Sequence, residues 1–316
     1  MKVTEHLKKA KETLFSYEIL PPLKGASIQT IYDTLDELTE FKPPFIDVTY
    51  HREEYVYKTK QDGLLEKQSV RKRPGTVGIC AAIMNKYNID TVPHIICGGF
   101  NQEETENALI DLDFLGIDNL LVLRGDPINS ETYFAAEKGG HKYASDLVKQ
   151  VDGLNNGIYL DDDLRNSSKT NFCMGVAGYP EKHFEAPNMN SDIHFLKKKI
   201  ECGSEYIVTQ MFFDNNVFFQ FVDLCRKIGI EIPIIPGIKI LSLERHLETL
   251  PRHFYLNIPS ELIKSVKGKS KSEVRIAGID WATSQVQELI DYGAPCVHFY
   301  IMSSAKSATK VVSNFI

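Results

Sequence analysis

Residues 172–238 read FCMGVAGYPEKHFEAPNMNSDIHFLKKKIECGSEYIVTQMFFDNNVFFQFVDLCRKIGIEIPIIPGI. Apolar runs at 172–178, 206–212 and 232–238 alternate with helical patterns at 192–202 and 217–228. Each helical pattern closes on a glycine, Gly203 or Gly229, the residue best suited to the left-handed conformation of a helix C-cap. This rhythm predicts consecutive β/α units and a parallel sheet.

The same rhythm extends in both directions. Upstream, residues 14–20 form an apolar run stopped by Pro21 and Pro22. Ser27 then caps a helix whose stripe is Ile28, Ile31, Leu35 and Leu38. Residues 45–50 give a second strand. The charged stretch HREEYVYKTKQDGLLEKQSVRKRPG follows, with Asp62 and Gly63 placed to turn a hairpin before a helix at 76–86. Strand, helix, strand and helix recur at 92–97, 102–115, 119–124 and 144–154. Downstream, residues 243–292 read as an irregular helical region in which KGKSK (267–271) is a solvated loop; a last strand at 296–302 and a closing helix complete the chain. Eight β/α units in 316 residues predict an α/β fold, an eight-stranded parallel (β/α)8 TIM barrel forming one domain over residues 1–316. No GxGxxG follows the first strand and there is no Walker loop, which argues against an open doubly wound nucleotide-binding sheet.

With 43% hydrophobic and 25% charged residues the chain has the composition of an ordinary globular protein. A net charge of −6 gives no polycationic surface for nucleic acid. The N-terminus lacks the apolar core of a secretory signal and no later segment reads as a membrane span, so the expected location is cytoplasmic. The six cysteines contain no CxxC pair, which suits reduced thiols. His94 and Cys97 are three residues apart on a strand and point to opposite faces, so no metal site is expected there.

Barrels of this kind place their active sites at the carboxyl ends of the strands. Here those ends carry Glu18, Thr49, His94, Arg124, Asp126, Tyr179, Glu181 and Gln210. Glu18 lies beside Tyr17, Ile19 and Leu20, apolar neighbours that are expected to raise its pKa toward that of a general acid. Asp126 is either a functional carboxylate or the ion-pair partner of Arg124. Thr49 and Gln210 are neutral hydrogen-bonding groups, and Phe212, on the side of Gln210 by alternation, is a candidate to flank a flat ligand. The default for His183, Lys198 and Lys199 is a solvated surface.

At these positions the chain resembles the flavin-dependent methylenetetrahydrofolate reductases, of the bacterial type with the catalytic domain only. The motifs occur in order: SYEILPP, DVTY, PHIIC, LRGD, YASDLV, YPEKHFEA, VTQMFFD, IIPGI and HFY. The resemblance implies an FAD-binding barrel, reduced by NADH or NADPH, that reduces 5,10-methylenetetrahydrofolate to 5-methyltetrahydrofolate by a ping-pong scheme. It implies a homo-oligomer in one-carbon and methionine metabolism. Glu18 matches the family's acid, Asp126 the carboxylate beside the flavin and the substrate, and Gln210 the group that grips the pterin. FAD is placed against Thr49, His94, Arg124, Gly125, Asp126, Tyr143, Ala144, Tyr179, His183, Ala186, Asp192, Lys198 and Lys199. The chain departs from the pattern at HREEYVYK after DVTY, at Phe195, and at Ser303 and Ser304, where bacterial relatives place an arginine. A different barrel flavoenzyme, or a flavin-free pterin-binding protein, are the competing readings.

Overall fold

The structure, a computed structural model, describes residues 1–128, 131–302 and 304–316. Ten strands occur among the described residues: β1 (Leu14–Ile19), β2 (Phe45–Val48), β3 (Glu54–Thr59), β4 (Leu65–Val70), β5 (Asp90–Ile96), β6 (Asn119–Leu123), β7 (Cys173–Gly178), β8 (Tyr206–Met211), β9 (Ile234–Ile238) and β10 (Cys296–Met302). Eight of them close a parallel barrel in the order β1-β10-β9-β8-β7-β6-β5-β2, as the sequence predicts. The other two, β3 and β4, pair antiparallel as the expected hairpin, turning at Asp62 and Gly63, where the Leu64 amide donates to Asp62 Oδ1.

Strand alternation divides the core into layers. Leu14, Phe45, Val92, Leu121, Cys173, Tyr206, Val208, Ile235 and Cys296 share the inner face and fill the lower half of the barrel. Residues of opposite parity, among them Tyr17, Ile46, Ile95, Val122, Val176, Ile207 and Phe299, pack outward against the helices. Gly175 makes the inner layer possible, because a side chain there would overlap the Tyr206 ring.

A helix at Val3–Lys9, which the sequence reading left unassigned, closes the bottom. It is too short to hold by itself, so docking must supply its stability. Val3 is fully buried among the inner residues and its amide donates to Asn119 Oδ1 at 2.7 Å. His6 and the amino terminus of Met1 both reach Asp90 at the start of β5.

The region after β9 is more regular than expected. It forms helices at His246–Phe254, Ser260–Val266 and Lys271–Tyr292. Only residues 267–270 of the basic run form the turn, since the Ser270 side chain caps the last helix and makes Lys271 its first residue. No helix among the described residues is long and apolar enough to cross a membrane.

Candidate active site

The strand order arranges the strand-end residues around the mouth. Glu18 on β1, Thr49 after β2, His94 on β5, Arg124 to Asp126 after β6, Tyr179 after β7 and Gln210 on β8 occupy six successive strands of the ring. Lys239, after β9, and Tyr300, on β10, fill the remaining two places; the Lys239 amine donates to the Tyr300 carbonyl at 2.7 Å.

Glu18 points inward and is largely buried. Its Oε1 accepts from Thr49 Oγ1 at 2.9 Å, while Oε2 lies 3.5 Å from His94 Nε2 and 3.9 Å from His298 Nε2. The expected rise in its pKa is not found. Burial does push the carboxyl upward, but His94, His298 and the Thr49 hydroxyl together hold it below its ordinary value. The apolar neighbours invoked from sequence, Tyr17 and Ile19, lie on the outer face of the strand and do not surround the carboxyl. Burial likewise pushes His94 down, but Glu18 and Asp47 outweigh it and raise its pKa.

The carboxylate of Asp126 is exposed and has no ion-pair or hydrogen-bond partner among the described residues. Arg124 pairs instead with Glu185 at 2.5 Å and lies over the Phe134 ring, which disposes of the Arg124–Asp126 salt bridge. Gly125 has φ +85°, a conformation that favours glycine, with Ile96 close beneath it. Glu181 turns away to accept from the Asn257 backbone at 2.9 Å.

Beyond β7, the His183 ring packs edge-on against Tyr179 at 4.7 Å, and burial, aided by Arg124, lowers its pKa to about 4. The His183 amide donates to Asp192 Oδ2, and Ala186 closes the same turn by donating to the His183 carbonyl. Lys199 is not the solvated residue that its sequence position suggests. It is half-buried, donates to the Ala177 carbonyl at 2.6 Å, and has its pKa lowered by burial to about 8. Lys198 is exposed, with its ammonium 5.3 Å from the centre of the Phe195 ring. Tyr143 and Ala144 begin the helix at Ala144–Asn155 on the rim.

Gln210 is half-buried at the mouth, its side-chain oxygen accepting from the Met211 amide. Phe212 does not accompany it. The pairing of β8 with β9 shifts register between Val208 and Met211, the strand ends at Met211, and Phe212 turns outward. There it is fully buried, stacked on Phe218 at 5.3 Å, and offers no face to a ligand in the mouth. Ser303 lies outside the described residues, and Ser304 donates its amide to the Ile301 carbonyl.

Sequence reasoning missed four polar groups, three beneath the mouth and Tyr300 in its wall. Asp47, Ser16 and His298 are buried on the inner face, and Ser16 Oγ lies 2.8 Å from His298 Nδ1. Tyr300 donates to the Thr209 carbonyl at 2.6 Å. Their inward parity could have found them, since Asp47 alternates with Thr49, and His298 with Tyr300. Beside β2 and β5, the base of the hairpin borders a cavity of about 480 Å³ lined by Tyr50, Arg71, Phe100, Ile31 and His94. No group of three or more His, Cys, Asp and Glu side chains among the described residues is placed to hold a metal ion.

A closed parallel barrel with ionisable side chains gathered at its carboxyl-end mouth is the architecture of the (β/α)8 catalytic barrels. A family model described as methylenetetrahydrofolate reductase matches residues 2–315, and the chain belongs to that family. Methylenetetrahydrofolate reductase (NADH) 1 of Arabidopsis thaliana is 30% identical over 99% of this chain and 50% of its own length. The 5,10-methylenetetrahydrofolate reductase of Escherichia coli is 27% identical over 92% of this chain and 86% of its own. The chain thus spans about half the length of the plant relatives it matches. In structure it is similar to an uncharacterized protein from Clostridium thermocellum described as binding two copies of 5-methyl-5,6,7,8-tetrahydrofolic acid. The TM-score is 0.55 at 13% identity, covering 98% of this chain and 96% of that one, a likeness of fold.

Proposed function

We propose that this chain reduces 5,10-methylenetetrahydrofolate to 5-methyltetrahydrofolate with NAD(P)H, by way of FAD bound along the arc from β2 to β7. The observation that carries the reading is the placement of Glu18: a carboxyl inside the mouth of a barrel of this family, in contact with the His94 imidazole. Opening the five-membered ring of the substrate requires a proton on N10, and a carboxyl coupled to an imidazole can deliver one.

The residues of the arc suit FAD in their chemistry. Asp126, without an ion-pair or hydrogen-bond partner among the described residues, is free to face a polar ring edge. Lys199, whose charge burial disfavours, would have that charge stabilised beside a phosphate. Thr49, His94, Arg124, Gly125, Asp126, Tyr143, Ala144, Tyr179, His183, Ala186, Asp192, Lys198 and Lys199 would hold the cofactor. When bound, it supplies a hydride carrier that NAD(P)H can fill and the folate can empty, in ping-pong order. In this reading Glu18 protonates N10, Asp126 stabilises the positive charge that develops on the substrate, and Gln210 hydrogen-bonds the pterin edge. Residues 1–316 act as one catalytic domain, in the cytoplasm and as a homo-oligomer, on the strength of the family resemblance.

The test is the absorption spectrum of the purified protein. A flavin spectrum that NAD(P)H bleaches and methylenetetrahydrofolate restores is the expected result. Colourless protein that cannot be reconstituted with FAD overturns the reading.

A further inference from the structure

Beneath Glu18 lie two more ionisable side chains that the reading above does not use. Asp47 on β2 and His298 on β10 are both buried on the inner face of the barrel. Asp47 Oδ2 is 3.7 Å from His94 Nε2, and Asp47 Oδ1 is 4.0 Å from His298 Nδ1. Both oxygens of Asp47 are buried without a hydrogen-bond partner. A charge so placed is costly unless another charge compensates it, and the closest basic group is the His94 imidazole. His94 Nε2 therefore stands between two carboxyls, Glu18 at 3.5 Å toward the mouth and Asp47 at 3.7 Å below.

We propose that Asp47 and His94 form a buried proton store behind Glu18, with Asp47 as the positioning residue that keeps a proton on His94 and Glu18 as the outlet toward the mouth. The proposal rests on the folate-reducing reading for the identity of the acceptor. In the step, the His94 Nε2–H bond breaks as an O–H bond forms on Glu18 Oε2. That O–H bond then breaks as N10 takes the proton on the electron pair released from its bond to the methylene carbon, and the N5 lone pair closes on that carbon to give an iminium cation. His94 is left neutral and Glu18 ionised. Solvent at the mouth refills the store through Glu18, and Asp47 stays in place behind the imidazole. The arrangement also explains how a carboxyl with a depressed pKa can act as an acid near neutrality: the proton resides on the imidazole and uses Glu18 only in passing.

The other groups facing Glu18 are compatible with this path. Thr49 donates to the oxygen that does not face His94. His298 is held at Nδ1 by Ser16 and presents Nε2 to Glu18 from below. Lys239 and Tyr300 close the opposite wall, and both have partners in the backbone.

The test is a histidine NMR titration of the isotopically labelled chain, wild type and Asp47→Asn, alongside the pH dependence of the two half-reactions. In the wild type the His94 ring is expected to titrate above 6.5, and Asp47→Asn is expected to lower that midpoint by about one pH unit or more. The alkaline limb of folate reduction should move down with it, while reduction of the flavin by NAD(P)H keeps its profile. A wild-type midpoint below 6.5, or a midpoint unmoved in Asp47→Asn, overturns the store even if the enzyme reduces folate. The wild-type titration decides if the variant does not fold. A shifted midpoint in a protein that reduces no folate supports the store and removes the acceptor named here.

Discussion

Arg52 grips Glu131 with two nitrogens, each 3.1 Å from a carboxylate oxygen, and so ties the loop after β2 to the loop after β6 along the rim of the mouth. The Arg52 side chain is only 7% exposed, and Gly98 and Gly99 allow it to lie flat against the loop after β5. Arg52→Ala should therefore free the hairpin. Removing a charge-assisted pair of this kind costs about 1.5–3 kcal/mol. Faster hydrogen exchange over residues 54–70, with the barrel strands unchanged, is the expected signature. Unchanged exchange in the hairpin would show that other contacts hold it.

Glu18→Gln removes the outlet for the proton and keeps the shape of the side chain. Reduction of methylenetetrahydrofolate should fall by roughly a hundred- to ten-thousand-fold, while NAD(P)H oxidation with an artificial electron acceptor persists. Stopped-flow measurement of each half-reaction separates the two. Equal loss of both would contradict an acid role.

Asp90 anchors the helix that shuts the bottom of the barrel. Burial works to raise its carboxyl pKa, but His6 and the Met1 amine outweigh it and hold it below its ordinary value. A carboxyl depressed in the folded state contributes stability above its unfolded pKa, and that contribution is lost as pH falls through the folded value. Asp90→Asn is thus expected to cost about 1 kcal/mol at pH 7 and progressively less as the pH falls below about 3.9. Denaturant titrations at several pH values would check this, and a deficit that does not shrink in acid would refute it.

Two glycines test the packing in opposite senses. Gly278 lies within the helix at Lys271–Tyr292, where a methyl would overlap the Leu241 carbonyl, so Gly278→Ala should destabilise by about 1–3 kcal/mol or more. Gly78 lies in the helix at Thr76–Tyr87 with open space at its Cβ position. Gly78→Ala is expected to stabilise by about 0.5–1 kcal/mol. The relative order of the two melting temperatures decides the matter.

The barrel was legible because the alternation of apolar runs and helices is a local property, repeated eight times. The rim was legible because strand ends can be marked once strands are. What sequence could not carry was the electrostatics between rim residues. The environment of Glu18 comes from His94, His298 and Thr49, remote in the chain, while its sequence neighbours face the other way. Phe212 was misplaced for a different reason. Alternation holds only while a strand continues, and β8 stops one residue too soon. The helix at Val3–Lys9 escaped notice because so short a segment carries too little periodicity, and its stability comes from the surface it covers.

The floor formed by that helix and the apolar lower layer has a kinetic meaning as well. This floor closes the barrel from below, so in the proposed scheme a spent reactant would back out along the route by which the next one arrives. Crowding at the lip, where the hairpin and the Arg52 tie stand, would then slow every occupant alike. In the proposed scheme, loop changes at the lip would alter throughput without disturbing the chemistry below.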